Sequence, residues 1–224
     1  MLGYVAFGNC RWVHSGEETV CGGKFFCVVL PQNPRERQIR KAARMMKKRG
    51  VKRAVFPAQY DAANWRRWGI EAVDGLAFRR RLLLRILWWG AGEGKWGRAG
   101  ICAPNADFLV QKAARYLAGE SRYLFLDCGE GTEKLAAALQ REWGIAAVQE
   151  PTASQFSACQ ILLLFAPRED ITCQGMVLPF YEGAKLPWKY RFRGIETYPE
   201  ADSEQLGAAL FEMGILREKD VEII

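Results

Sequence analysis

The sequence predicts a mixed α/β protein built from two consecutive β-α-β-α-β units, with a mostly parallel sheet, helices on both faces, and a C-terminal hairpin and helix. Three observations carry this. Short apolar runs rich in β-branched and aromatic residues alternate with segments of helical periodicity, glycine closes most of the helical segments, and two short patterns recur in the same order in both halves. The 224 residues, 50% hydrophobic and 25% charged, suffice for one large domain or two small ones.

Lys24 to Pro31 (KFFCVVLP) is a nearly continuous apolar run, as expected of a central parallel strand buried on both faces. Asn33 caps a helix whose apolar positions Ile39, Ala42, Ala43 and Met46 follow helical spacing, with Gly50 as its stop. Val51 to Pro57 reads as a strand, Ala58 to Trp68 as a short helix stopped by Gly69, and Ile70 to Val73 as a short strand. Asp74 caps a helix from Gly75 to Trp89, closed by Gly90 and apolar over so much of its circumference that it must lie under other elements. The segment before all this, containing His14 and Ser15, reads as a hairpin with a turn near Gly16.

The glycine-rich stretch 90 to 97 (GAGEGKWG) is the best boundary, dividing the chain into residues 1–94 and 95–224. The pattern then restarts. Arg98 to Pro104 is a strand, Asn105 to Ala118 a helix, Arg122 to Asp127 a strand, Thr132 to Trp143 a helix, Gly144 to Val148 a short strand and Gln160 to Pro167 a buried strand. Met176 to Tyr181 and Trp188 to Arg193 fit a hairpin, Ser203 to Met213 a helix, and Val221 to Ile224 a tail. KAAR at Lys41 to Arg44 recurs at Lys112 to Arg115, and WGIEAV at Trp68 to Val73 recurs as WGIAAV at Trp143 to Val148. Duplication of one ancestral unit and the shared grammar of α/β folds both account for these matches.

Over Lys24 to Pro167 this order resembles the layout of Rossmann-type dehydrogenases. The resemblance is architectural and brings no family motif. It implies a Rossmann-like doubly wound sheet in which ligands bind outside the carboxyl ends of the strands, where the strand order reverses. A dinucleotide fingerprint needs its glycines between a strand and the helix that follows, so that pyrophosphate can approach the helix N-terminus. Gly92, Gly94 and Gly97 have the spacing but follow a helix and precede a strand. The position that should hold the fingerprint carries Pro104, Asn105, Ala106 and Asp107, where Asp107 would repel a phosphate. Asp127 does end the second strand of this half, where a Rossmann acid takes ribose hydroxyls; an acid at a strand end, solvated or capping the next turn, is the plainer account of it.

Other chemistries have less to build on. Gly94-Lys95 and Gly23-Lys24 lack the following Ser or Thr of a phosphate loop, and Tyr181 and Lys185 have the YxxxK spacing but enclose Gly183 in a turn. The single histidine has no nucleophile elbow to serve, and the seven cysteines contain no CxxC pair, so reduced thiols are expected and no metal or cofactor is assigned. Cys27 and Cys102 read as core residues. Cys128 precedes a helix N-terminus that would favour a thiolate, but Asp127 and Glu130 oppose that. The longest apolar run falls far short of a membrane span, and no secretory signal is legible, so a cytoplasmic location is expected without a membrane partner.

Charge divides the chain: residues 1–98 hold 20 Lys and Arg against 7 Asp and Glu, and residues 99–224 hold 12 against 18. Ten positive charges fall between Arg35 and Arg53, with only Glu36 among them. They read as a solvated helix face or as a phosphate-tracking surface carried by Arg40, Lys41, Arg44, Lys47 and Lys48. The leading expectation is a non-catalytic or regulatory module that binds a small polar ligand or a protein partner. If the two units pair through their first strands, Gln32, Asn33, Asn105 and Asp107 line the crevice, with Asp127 and Cys128 one strand away. The alternatives are an atypical nicotinamide-dependent oxidoreductase using Asp127, and nucleic-acid binding through the Arg35 to Arg53 face.

Overall fold

The structure, a computed structural model, describes residues 1–58, 60–92, 95–195 and 200–224. The chain divides into two compact units, residues 1–78 with 189–222 and 224, and residues 79–188 with 223. The Glu93 and Gly94 boundary positions lie outside the described residues, and so does the middle glycine of the Gly92, Gly94, Gly97 series.

The first unit opens with β1 (Leu2–Gly8), β2 (His14–Val20) and β3 (Gly23–Pro31), followed by α1 (Glu36–Lys48), β4 (Arg53–Val55), α2 (Ala63–Arg66) and β5 (Glu71–Ala72). Its sheet runs β2-β3-β1-β4-β5. β1 pairs in parallel with both β3 and β4, and β2 is antiparallel to β3. The expected hairpin is therefore β2–β3, and its turn is not at Gly16, which lies within β2, but at Cys21 and Gly22. Both have positive φ, +52° and +81°, as a tight two-residue hairpin turn requires. Arg35 is the N-cap of α1, two residues later than Asn33, and Gln38 accepts a hydrogen bond from the Arg35 N–H at 2.8 Å. Ala42, Ala43 and Met46 are fully buried with Phe26, Val28, Leu30, Phe56 and Trp65 in the core of this unit.

The long apolar helix expected from 75 to 89 is two helices, α3 (Gly75–Arg81) and α4 (Leu83–Ala91), parted where Leu82 leaves helical geometry. Asp74 does cap the first, accepting from the Ala77 N–H at 2.9 Å. Arg79 is only 4% exposed, and its guanidinium donates to the carbonyls of Pro179 and Tyr181, both at 3.0 Å.

The second unit then places β6 (Trp96–Cys102), α5 (Phe108–Glu120), β7 (Ser121–Asp127), α6 (Thr132–Trp143), β8 (Val148–Gln149), α7 (Ala153–Ser157), β9 (Ile161–Leu164) and β10 (Met176–Pro179). The sheet order is β10-β9-β6-β7-β8, and every pairing is parallel. From β6 the chain steps outward to β7 and β8, then returns to lay β9 on the other flank of β6. That reversal is the doubly wound arrangement, with its switch point between β6 and β9. The two units differ in strand order. β6 and β7 are neighbours, whereas β1 separates β3 from β4, the strands that the KAAR and WGI matches would align with them.

The chain closes with β11 (Tyr190–Phe192), α8 (Ser203–Glu212) and β12 (Val221–Ile223), the last pairing with β11. The C-terminal antiparallel pair is thus Tyr190–Phe192 with Val221–Ile223. Met176–Pro179 pairs in parallel with β9 instead, so the two segments expected to face each other do not. Among the described residues no helix is long and apolar enough to cross a membrane, and all seven cysteines are free.

Candidate functional site

In a parallel sheet all carboxyl ends open on one edge, and in the second unit the loops after β6, β7 and β9 meet there. The loop after β6 is laced to the loop after β7. The Ala103 N–H donates to the Asp127 carbonyl at 2.8 Å, the Ala106 N–H donates to the Glu130 carbonyl at 2.9 Å, and Asn105 forms a bridge with Glu130. Gly129 makes the lacing possible: its φ is +51°, and a Cβ there would stand 2.3 Å from the Pro104 carbonyl oxygen. Thr132 braces the same turn, accepting from the Cys128 N–H at 3.1 Å and donating to the Gly129 carbonyl at 3.0 Å.

The expected site residues are distributed unevenly around this edge. β3 and β6 belong to different sheets, so the crevice that required them to pair is not formed. Gln32 and Asn33 are exposed residues after β3, in the first unit. Asn105, Asp107, Asp127 and Cys128 are together in the second. Asp107 is the N-cap of α5, and its Oδ1 accepts from the N–H groups of Leu109 and Val110, both at 2.9 Å. A carboxylate on that helix end closes it to phosphate, as the sequence suggested, and gives Asp107 a structural duty. Replacing it by Ala is expected to cost about 1 kcal/mol through the lost cap, a fall of roughly 2–4 °C in the thermal midpoint, readable by a calorimetric melt. Cys128 is fully buried, and burial first, then Asp127 and Asp107, push its thiol up to about 12. It is a core thiol, not a nucleophile at neutral pH. Cys102, next to the switch point, is likewise raised to about 12, mainly by burial.

Asp127 has a partner that sequence reasoning did not supply. Arg168, after β9, donates to Asp127 Oδ2 at 2.7 Å and grips Asp170 with two bonds of 2.8 Å each. The hydrogen bond from Arg168 holds the Asp170 carboxyl down to about 2. Arg168 and Asp127 are 41 residues apart, and only the return of β9 to the side of β6 brings them within reach. The available signal was slight: a lone arginine after a buried strand, inside an acidic half.

Beside Asp127 a groove of about 690 Å³ opens at the ends of β7 and β8, lined by Asp127, Gly129 to Lys134, Gln149 and Glu150. Four carboxylates, Asp127, Glu130, Glu133 and Glu150, face one cation, Lys134, among its described lining residues. The N-cap of α6 at its wall is Gly131, with φ +90° and no side chain to satisfy the helix N–H groups. In the sequence the Gly129-Glu130-Gly131 turn stands out only as a neighbour of Cys128, and Gln149 and Glu150 carry no signal because β8 is two residues long.

The remaining motifs do not assemble into chemistry. Tyr181 and Lys185 lie outside any helix, with Gly183 at φ +76° between them. Gly92 ends α4 and Gly97 lies within β6. Among the described residues no cluster of His, Cys, Asp and Glu could hold a metal ion.

Fold and site together define the second unit as a Rossmann-like, all-parallel α/β unit with an acidic groove at the carboxyl ends of its strands. No protein-family model matches the chain, and no curated protein matches it. Among solved structures it is similar to L-tryptophan dehydrogenase from Nostoc punctiforme, with 12% identity, a TM-score of 0.37 and coverage of 96% of this chain and 68% of that one. Quinate dehydrogenase from Corynebacterium glutamicum in complex with NAD is 10% identical, with a TM-score of 0.29 and coverage of 74% and 70%. A probable ornithine cyclodeaminase from Bordetella pertussis Tohama I is 12% identical at a TM-score of 0.34; the match covers 49% of this chain and 38% of that one. The fold class stands on the strand order and register given above, and these likenesses say nothing of activity.

Proposed function

We propose that the second unit is a non-catalytic or regulatory module that binds a small polar ligand, and that the ligand lies in the groove at the ends of β7 and β8. The observation that carries this is the groove itself, which opens at the carboxyl ends of β7 and β8, on the flank of β6 opposite the switch point between β6 and β9. Its excess of carboxylates favours a ligand carrying an ammonium group or several hydroxyls and disfavours a polyphosphate. A nicotinamide-dependent oxidoreductase has less support, because Arg168 occupies the acid that would take the ribose, Asp107 closes the end of α5, and the loop after β6 has no glycine.

A thermal-shift panel of amino acids, polyamines, polyols, NAD, NADP and ATP tests the reading. A true ligand at a hundred times its dissociation constant adds about 2.7 kcal/mol, a rise of roughly 5–11 °C. The expected result is a rise with an amine or polyol and none with the nucleotides. Glu133→Gln with Glu150→Gln is expected to weaken that ligand at least tenfold while leaving the unliganded melt in place. A rise with a dinucleotide, or an affinity indifferent to both substitutions, defeats the proposal. A protein partner on the same face predicts no rise with any member of the panel.

A further inference from the structure

The first unit carries a surface that the groove does not explain. On α1, Arg37, Lys41, Arg44 and Lys48 recur at i, i+4, i+7 and i+11, which places them within an arc of about 60° and about 5–6 Å apart along the helix. All four are exposed. Among the described residues none has a carboxylate within ion-pair distance, whereas Arg49 and Arg53 just beyond them reach Glu17 at 3.6 Å and Glu212 at 2.7 Å. Arg40 and Lys47 border the stripe, Arg40 lying over the Trp68 ring at 5.9 Å. Glu36, the acid of the first turn, is about 100° round the helix from Arg37. Like charges at these spacings repel one another. The stripe is therefore tolerated at a cost that a polyanion would reverse.

An exposed aromatic group lies on a loop tied to the start of this helix. Trp12, in the loop between β1 and β2, is 65% exposed. That loop is tied to the first turn of α1, where the Gln38 side-chain amide donates to the Arg11 carbonyl at 3.4 Å. The Arg11 guanidinium lies 5.5 Å from the Trp12 ring centroid. An exposed indole on a loop tied to the head of a ladder of cations fits the pairing that single strands use, bases stacking on the ring while phosphates track the charges.

We propose that Trp12 and the Arg37-Lys41-Arg44-Lys48 stripe bind single-stranded nucleic acid. A duplex would bury its bases away from Trp12 and leave the indole unused. An anionic membrane would want an apolar face to insert, and the apolar face of α1, Ala42, Ala43 and Met46, is fully buried.

Fluorescence anisotropy with a labelled 20-mer of deoxythymidine, on the full chain, tests this. With four to six phosphates neutralised, log K should fall against log salt with a slope of about −3 to −4. Arg44→Gln with Lys48→Gln should make that slope shallower by about 1.4. Trp12→Ala should weaken binding at least about fivefold and leave the slope unchanged, because stacking releases no counterions. All three side chains are exposed, so the variants should melt with the parent. No binding of the 20-mer at low salt overturns the proposal. So does an affinity for phosphatidylserine vesicles or a 20-base-pair duplex that matches or exceeds it, or a Trp12→Ala variant that binds as the parent does.

Discussion

Deleting residues 189–224 is expected to unfold the first unit. That segment is part of its core although it lies more than a hundred residues away in sequence. The Asp202 N–H donates to the Phe56 carbonyl at 3.0 Å, Gln205 accepts from the Phe56 N–H at 3.0 Å, and the Ala58 N–H donates to the Glu200 carbonyl at 2.7 Å. Arg53 and Glu212 form a two-point ion pair at 2.7 and 2.9 Å. Leu206 and Leu210 of α8 are buried, and the Phe78 ring sits among Tyr190, Phe192 and Phe211 at 5.3, 6.2 and 5.4 Å. Each buried Leu or Phe is worth about 1.5–3 kcal/mol. Four or five of them amount to about 6–15 kcal/mol, comparable to the roughly 5–15 kcal/mol that holds a domain together. A fragment of residues 1–94 should therefore show no cooperative urea transition, and joining it to 189–224 through a flexible linker should restore one. A fragment 1–94 that melts cooperatively by itself would show that the C-terminal segment is dispensable.

The second large effect is expected at Gly129. Alanine there must hold φ near +51° and place its Cβ 2.3 Å from a backbone oxygen, that of Pro104. The left-handed conformation costs about 1–2 kcal/mol. Moving the Pro104 carbonyl away breaks the lacing at Ala103 and Ala106, at about 1 kcal/mol per hydrogen bond. Together these give about 3–4 kcal/mol, or roughly 6–16 °C. Gly144→Ala is the control: its φ is +67°, but a Cβ there meets nothing within 4 Å. It should lose only the conformational part. If both variants fall equally, the close approach of the two loops is not what Gly129 secures. Because Gly129 also lines the groove, its variant should bind the groove ligand more weakly than the Gly144 variant does.

Two helices are legible almost to the residue from their apolar spacing. Thr132–Trp143 is found at the predicted bounds, and Ser203–Glu212 differs by one residue at its end. Strand existence was nearly as clear for Lys24 to Pro31, Arg122 to Asp127 and Gln160 to Pro167. The misses have a common origin. Leu2–Gly8 is not distinguishable as a strand from its residues alone, yet it is the middle of its sheet, between β3 and β4. Met176–Pro179 reads equally well as half of a hairpin or as a parallel edge strand. Nothing in either segment names its neighbour, because a ladder of backbone hydrogen bonds is the same whichever chain supplies it.

The site divides in the same way. Asp107 as a helix cap and Asp127 at a strand end follow from residues within a few positions of each. The Arg168–Asp127 pair, the Gly129 contact with Pro104, and the groove wall at Gln149 and Glu150 depend on three strands lying side by side. Side-chain spacing and local backbone chemistry set the alternation of strand and helix, the caps at Asp74 and Asp107, the absence of a glycine cradle after β6 and the basic stripe on α1, and these are legible in the residues. Which strands pair, which half the C-terminal segment completes and which charges meet are not legible there, because they depend on apolar surfaces that find their partners across long stretches of chain.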